Sequence, residues 1–101
     1  KLIFIIIIQI SQLTTEQLPK ALMLAMRHKT TPTIDWELCG NILEHEKIRL
    51  VFFGTHWVAM EINPFSNHTK ATQKSVSALD AVIKCYIQIK LGDVINLNLN
   101  E

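Results

Sequence analysis

The sequence predicts an α+β domain: a small antiparallel or mixed sheet of three to four strands packed with three helices. Three observations carry that reading. Apolar residues recur at intervals of three and four in three separate stretches. Runs of β-branched and aromatic residues of strand length lie before and between them. The chain of 101 residues, 49% hydrophobic and 19% charged, fits one globular core and one domain over 1–101.

The first element is a strand over about 2–10, LIFIIIIQI. Branched side chains suit a pleated backbone and crowd a helix. The run ends at Ile10, short of the roughly 20 apolar residues that a spanning helix needs. A leading Lys before an apolar run resembles a secretion signal, but no small-x-small cleavage site follows it. Because the apolar residues do not alternate with polar ones, the strand is expected to be central. It would be covered on both faces, or by helices on one face and by something outside this chain on the other.

Polar residues from Ser11 to Thr15 then open a helix over about 15–28, with Leu18, Ala21, Leu22, Ala25 and Met26 on its inner face and Pro19 in its first turn. KTTPT is a loop. A second helix over about 35–46, DWELCGNILEHE, groups Trp36, Cys39, Ile42 and Leu43, with Asp35 and Glu37 at the positive end of the dipole. Gly40 in its middle costs about 1 kcal/mol relative to Ala and predicts close approach of another backbone. KIRLVFF and HWVAMEI, about 47–53 and 56–62, read as a hairpin turning at Gly54-Thr55. Residues 63–75 are expected to form the longest loop. Leu79, Val82, Ile83, Tyr86, Ile87 and Leu91 give a third helix over about 76–91, stopped by Gly92. In the tail, Ile95, Leu97 and Leu99 alternate with Asn, which is the pattern of a half-exposed edge strand over 94–100.

The residues offer little reactive chemistry. Glu44-His45-Glu46 point in different directions on a helix and do not converge on one ion, whereas the zincin pattern needs His at i and i+4. Cys39 and Cys85 belong to no metal spacing, and neither is singled out beside His28, His45, His56 or His68 as a nucleophile pair. Both are expected as buried thiols in a cytoplasmic protein, with the possibility of a disulfide left open by the spacing. Glycines at 40, 54 and 92 make no phosphate loop. No metal, cofactor or catalytic residue is therefore expected, and the chain is read as no enzyme. A formal net charge of +1 is too small for a general polyanion or membrane-surface binder.

Charge is nevertheless uneven. Lys20, Arg27, His28 and Lys29 gather on the first helix and its end, and Asp35, Glu37, Glu44 and Glu46 on the second. An acidic helix face steers a basic protein partner, and Trp57 and Trp36 are aromatic anchors of the type interfaces favour.

The segments SQLTTEQLPKALMLAM, DWELCGNILEHEKI, HWVAMEI and ALDAVIKCYIQIKLGD, in that order, resemble a family of small phage and prophage proteins, the NinX type. The resemblance covers about 11–95 and rests on Leu13-Thr14, Asp35-Trp36, Gly40, Ile42, Leu43, Glu44, Glu46, Trp57, Ala59, Leu79, Ala81, Cys85, Tyr86 and Lys90-Leu91-Gly92-Asp93. The Ile-rich opening has no counterpart in that pattern. The resemblance implies mobile-element origin and brings no activity with it. Together these features lead to the expectation of a non-enzymatic protein-binding module, an immunity or inhibitor protein that neutralises a bacterial toxin. Its expected contacts are Asp35, Glu37, Glu44, Glu46, Trp57, Phe65 and His68. The alternative is a phage-derived accessory protein that modulates a host nucleic-acid enzyme, touching nucleic acid through Lys20, Arg27, Lys29, Lys70 and Lys74.

Overall fold

Strand β1, Ile5–Gln9, leads through two short 3-10 turns, Ile10–Gln12 and Thr15–Gln17, into helix α1, Leu18–Met26. Helix α2 spans Trp36–Glu46, and strands β2, Ile48–Phe52, β3, Trp57–Glu61, and β4, Thr72–Ser75, follow. Helix α3, Ala78–Leu91, and strand β5, Val94–Asn98, come last among the described elements. The computed structural model describes residues 5–62 and 71–98. The α+β class and the three helices are as expected. The strands, however, divide between two antiparallel sheets, one ordered β2-β3-β4 and the other a ribbon of β1 and β5.

Each helix boundary has a local cause. Thr14 and Gln17 form a reciprocal capping box ahead of α1, and Pro19 sits in the first turn of that helix. Asp35 caps α2 by accepting the Leu38 N–H at 2.9 Å, and Ser77 caps α3 by accepting the Asp80 N–H at 3.3 Å. Arg27 and Lys47 close α1 and α2 in the left-handed conformation, at φ 58° and 57°. Gly54, at φ 86°, turns the β2–β3 hairpin, and Gly92, at φ 91°, follows α3.

Helix α3 is the centre of the core. Val82, Ile83, Cys85 and Ile87 are fully buried, against Leu18 and Leu22 of α1, Cys39 of α2 and Ala59 of β3. The helix packs on β3 and β4, and also touches α1, α2 and β5.

Three expectations are corrected. Among the described residues the first strand is not central: it pairs only with β5, with Ile6 and Ile8 turned inward beside Leu97 and Ile95, while Ile5 and Ile7 stand 58% and 76% exposed. Over residues 5–8 the alternation is imposed by the pleat, not by the residue types, which are isoleucine on both faces. Gly40 faces solvent, and a Cβ added there meets nothing within 4 Å, so no other backbone among the described residues approaches it. The stretch expected as loop through residue 75 contains β4. TQKS has no strand-forming signature; it is held by pairing with β3 and by Gln88 of α3. The Gln88 Oε1 accepts the Thr72 N–H at 3.1 Å and the Gln73 Nε2 at 2.9 Å, and the Gln88 Nε2 donates to Asp93 Oδ1 at 2.9 Å.

Candidate functional site

Helix α2 presents the candidate surface. At 100° per residue, Trp36, Gly40, Glu44 and Glu37 fall in one sector of about 100°, facing away from Cys39 and Ile42, which are buried. Glu37 and Glu44 are exposed and lie two turns apart, about 10 Å along the axis. Trp36, at the first helical position, is 59% exposed. Beside it Gly40 leaves the helix backbone bare.

The four acidic residues expected as one face are thus separated. Glu37 and Glu44 share the outer sector. Asp35 is engaged as the helix cap. Glu46 lies on the opposite side of α2, its side chain only 13% exposed, 3.2 Å from Lys90 Nζ of α3 and 3.8 Å from His45 Nε2. That lysine also lies 5.6 Å above the Tyr86 ring. Glu46 therefore ties α2 to α3. Trp57 points to the core side of the sheet, where its ring centroid is 5.0 Å from that of Phe52. The exposed tryptophan is Trp36, which sequence reasoning had grouped with the apolar face. Its position just after the capping Asp35 is the available signal, since first-turn residues often project past the buried stripe. Phe65, His68 and Lys70 lie outside the described residues.

The basic set is dispersed as well. The half-buried Lys20 reaches across to the Asn98 carbonyl of β5. Arg27 and His28 close α1 through their backbone, donating to Leu24 O at 3.2 Å and Met23 O at 3.1 Å. Lys74 stands on β4, on the far side of the three-stranded sheet from the core.

Both thiols are sealed in. Cys39 and Cys85 are 0% exposed and unpaired. Burial pushes the Cys39 thiol up to about 11, with smaller help from Asp35 and Asp80. Burial likewise pushes the Cys85 thiol up to about 12, Glu61 adding to it, and its S–H donates to Ala71 O at 3.6 Å. At neutral pH both remain protonated and unreactive as nucleophiles. Among the described residues, no group of three or more His, Cys, Asp or Glu side chains is placed to hold a metal ion. No described helix is long and apolar enough to cross a membrane.

A second polar set escaped the sequence reading. Thr15 Oγ1 donates to Asp80 Oδ2 at 2.6 Å across 65 residues of chain, and Lys84 Nζ reaches Ser11 O at 3.5 Å. Asp80 and Lys84 are 9% and 8% exposed, on a helix whose other inner residues are apolar. These contacts pin the 3-10 turns to α3 beside an open cleft of about 600 Å³ lined by Pro19, Pro32, Ile34 and Leu79. Their role is to fix how α1 enters the fold.

No curated protein and no solved structure matches this chain. Residues 10–90 match the family described as Bacteriophage P22, NinX, a stretch running from the end of β1 almost to the end of α3. With helices, capping residues and three-stranded sheet all inside that match, the chain belongs to the NinX family of phage proteins.

Proposed function

We propose that the chain is a protein-binding accessory factor that acts by occluding one partner through α2, in the reducing cytosol where two unpaired thiols persist. The observation that carries this reading is the outer sector of α2. A large aromatic more than half exposed, a bare glycine notch and two carboxylates lie together on one rigid element. Exposed tryptophans are costly in isolation and recur as interface anchors, while carboxylates beside them attract a basic partner. Gly40 supports the same reading. It weakens α2 by about 1 kcal/mol relative to Ala, and no contact among the described residues requires it. A partner group seated against the helix backbone would.

A basic toxin or nuclease is the partner class this surface suits, which makes an immunity or inhibitor protein the specific form of the proposal. The test is capture of a partner from cells carrying the gene, followed by binding measurements on W36A, G40A and the E37K/E44K double variant. The expected result is a stoichiometric partner with a basic surface, lost with E37K/E44K and weakened by G40A even though that variant is more stable. A toxin-domain gene immediately upstream agrees with immunity. A salt-sensitive shift of DNA or RNA by the chain, with no protein captured, sinks the proposal in favour of a nucleic-acid role.

A further inference from the structure

The three-stranded sheet has two faces, and the described elements of the chain pack on one of them. Ile48, Leu50, Trp57, Ala59 and Gln73 point toward α3 and the core. By strand alternation and the observed register, Arg49 and Val51 of β2, Val58 and Met60 of β3, and Lys74 of β4 point the other way. The central three, Val51, Val58 and Met60, are half-buried and do not belong to the core cluster. The pairing continues past both ends of the strands. Phe53, 58% exposed, donates its N–H to His56 O at one end, and Ile62, 41% exposed, donates to Lys47 O at the other.

The charges on this face are of one sign. Arg49 sits opposite Met60, and Lys74 opposite Val58, so the two cations occupy diagonal corners of an apolar centre. Strand spacing and rise put them about 12 Å apart. No acidic side chain points to this face among its described residues.

We infer that this sheet face docks an amphipathic helix of a partner protein, one that carries an apolar stripe flanked by two carboxylates about two turns apart. Two turns of helix rise about 11 Å, which matches the diagonal between Arg49 and Lys74. The stripe lies over Val51, Val58 and Met60, where the thioether adapts to the side chains it meets. Arg49 takes one carboxylate in a forked hydrogen bond, and Lys74 takes the other as a point charge. Single-stranded nucleic acid suits the face less well, because its centre is aliphatic and offers no stacking platform for bases. The inference rests on the reading of the chain as a binding protein, but on a surface other than α2 and of opposite charge.

The test uses the full chain and a fluorescein-labelled synthetic helical peptide with a leucine stripe and two glutamates seven residues apart. A matched peptide with lysines in their place and a labelled oligo-dT strand serve as controls. Anisotropy at low salt is expected to give a Kd of tens of micromolar, on the order of 6 kcal/mol, for the acidic peptide alone. The R49E/K74E variant is expected to weaken it at least about tenfold with an unchanged circular dichroism spectrum. The inference fails if the lysine peptide binds as well, if R49E/K74E binds the acidic peptide unchanged, or if oligo-dT binds more tightly and is lost in that variant. It fails equally if the free chain self-associates in a manner abolished by R49E/K74E, which assigns the face to a second copy. Peptide binding lost in R49E/K74E but retained in E37K/E44K supports the sheet face whatever the fate of the α2 proposal. Partner capture intact in R49E/K74E, with no peptide bound, leaves α2 standing and removes the sheet face.

Discussion

The two sheets of this protein are made from opposite materials. Strand β1 holds the densest run of strand formers in the chain, yet among the described residues its sheet has only two strands and leaves Ile7 76% exposed. The β2-β3-β4 sheet includes a strand of Thr, Gln, Lys and Ser, yet it is the one α3 packs upon. Intrinsic preference accounts for β1, β2 and β3 but not for β4; coverage by helices settled which sheet is anchored. Two strands alone are marginal in water, so the ribbon depends on the inward half of its side chains. The family match, residues 10–90, includes the whole of the anchored sheet and leaves out both strands of the ribbon.

Truncating the helix that serves both sheets has the largest expected effect. Ile87→Ala removes a fully buried side chain of α3 and is expected to cost about 2–5 kcal/mol, read as a lower urea midpoint in a single transition. Two separate transitions, one for each sheet, would break the comparison by making the ribbon an independent unit. Within the ribbon, Leu97→Ala is expected to cost about 2–4 kcal/mol and Ile7→Thr under about 0.5 kcal/mol, since Leu97 is 2% exposed and Ile7 faces water. Equal costs would mean that Ile7 is covered in solution.

Alkaline pH addresses the anchored side. Cys39 and Cys85 ionise in the unfolded chain near the ordinary thiol value of 9.0 but only at about 11 and about 12 when folded. The unfolded state therefore binds fewer protons above pH 9, and stability that is complete below that pH is lost as pH rises toward the folded values. The slope is about 1.4 kcal/mol per pH unit for each thiol, and it is expected to shrink in Cys39→Ala and Cys85→Ala when urea midpoints are followed with pH. Gly40→Ala acts in the opposite direction and is expected to stabilise the free chain by up to about 1 kcal/mol in the same assay, because the added methyl group meets nothing. No gain there would mean that the helix backbone is already contacted.

Much of this architecture was legible from the residues. Helix α3 announced itself by spacing and by Gly92, the hairpin by Gly54, and β5 by strict alternation of Ile95 and Leu97 with Asn. Strand β4 was hidden because its support is a side chain far along the sequence, Gln88, and not its own composition. The exposure of β1 was hidden for a related reason. Four identical isoleucines carry no instruction about which face is inside, so the neighbours decide. On α2 the residue types of the candidate surface were visible, but their separation was not. Glu46 belongs to Lys90, a partner 44 positions away, and only the fold distinguishes it from Glu37 and Glu44.

The amide of Gln88 works as a rivet with two unlike heads, its oxygen gripping β4 and its nitrogen holding Asp93 at the entrance to β5. Glutamate has the same shape but no hydrogen to offer, and would set one carboxylate against another. A change of a single atom at this position would therefore keep the grip on β4, since a carboxylate oxygen still accepts, and release Asp93 at the mouth of β5.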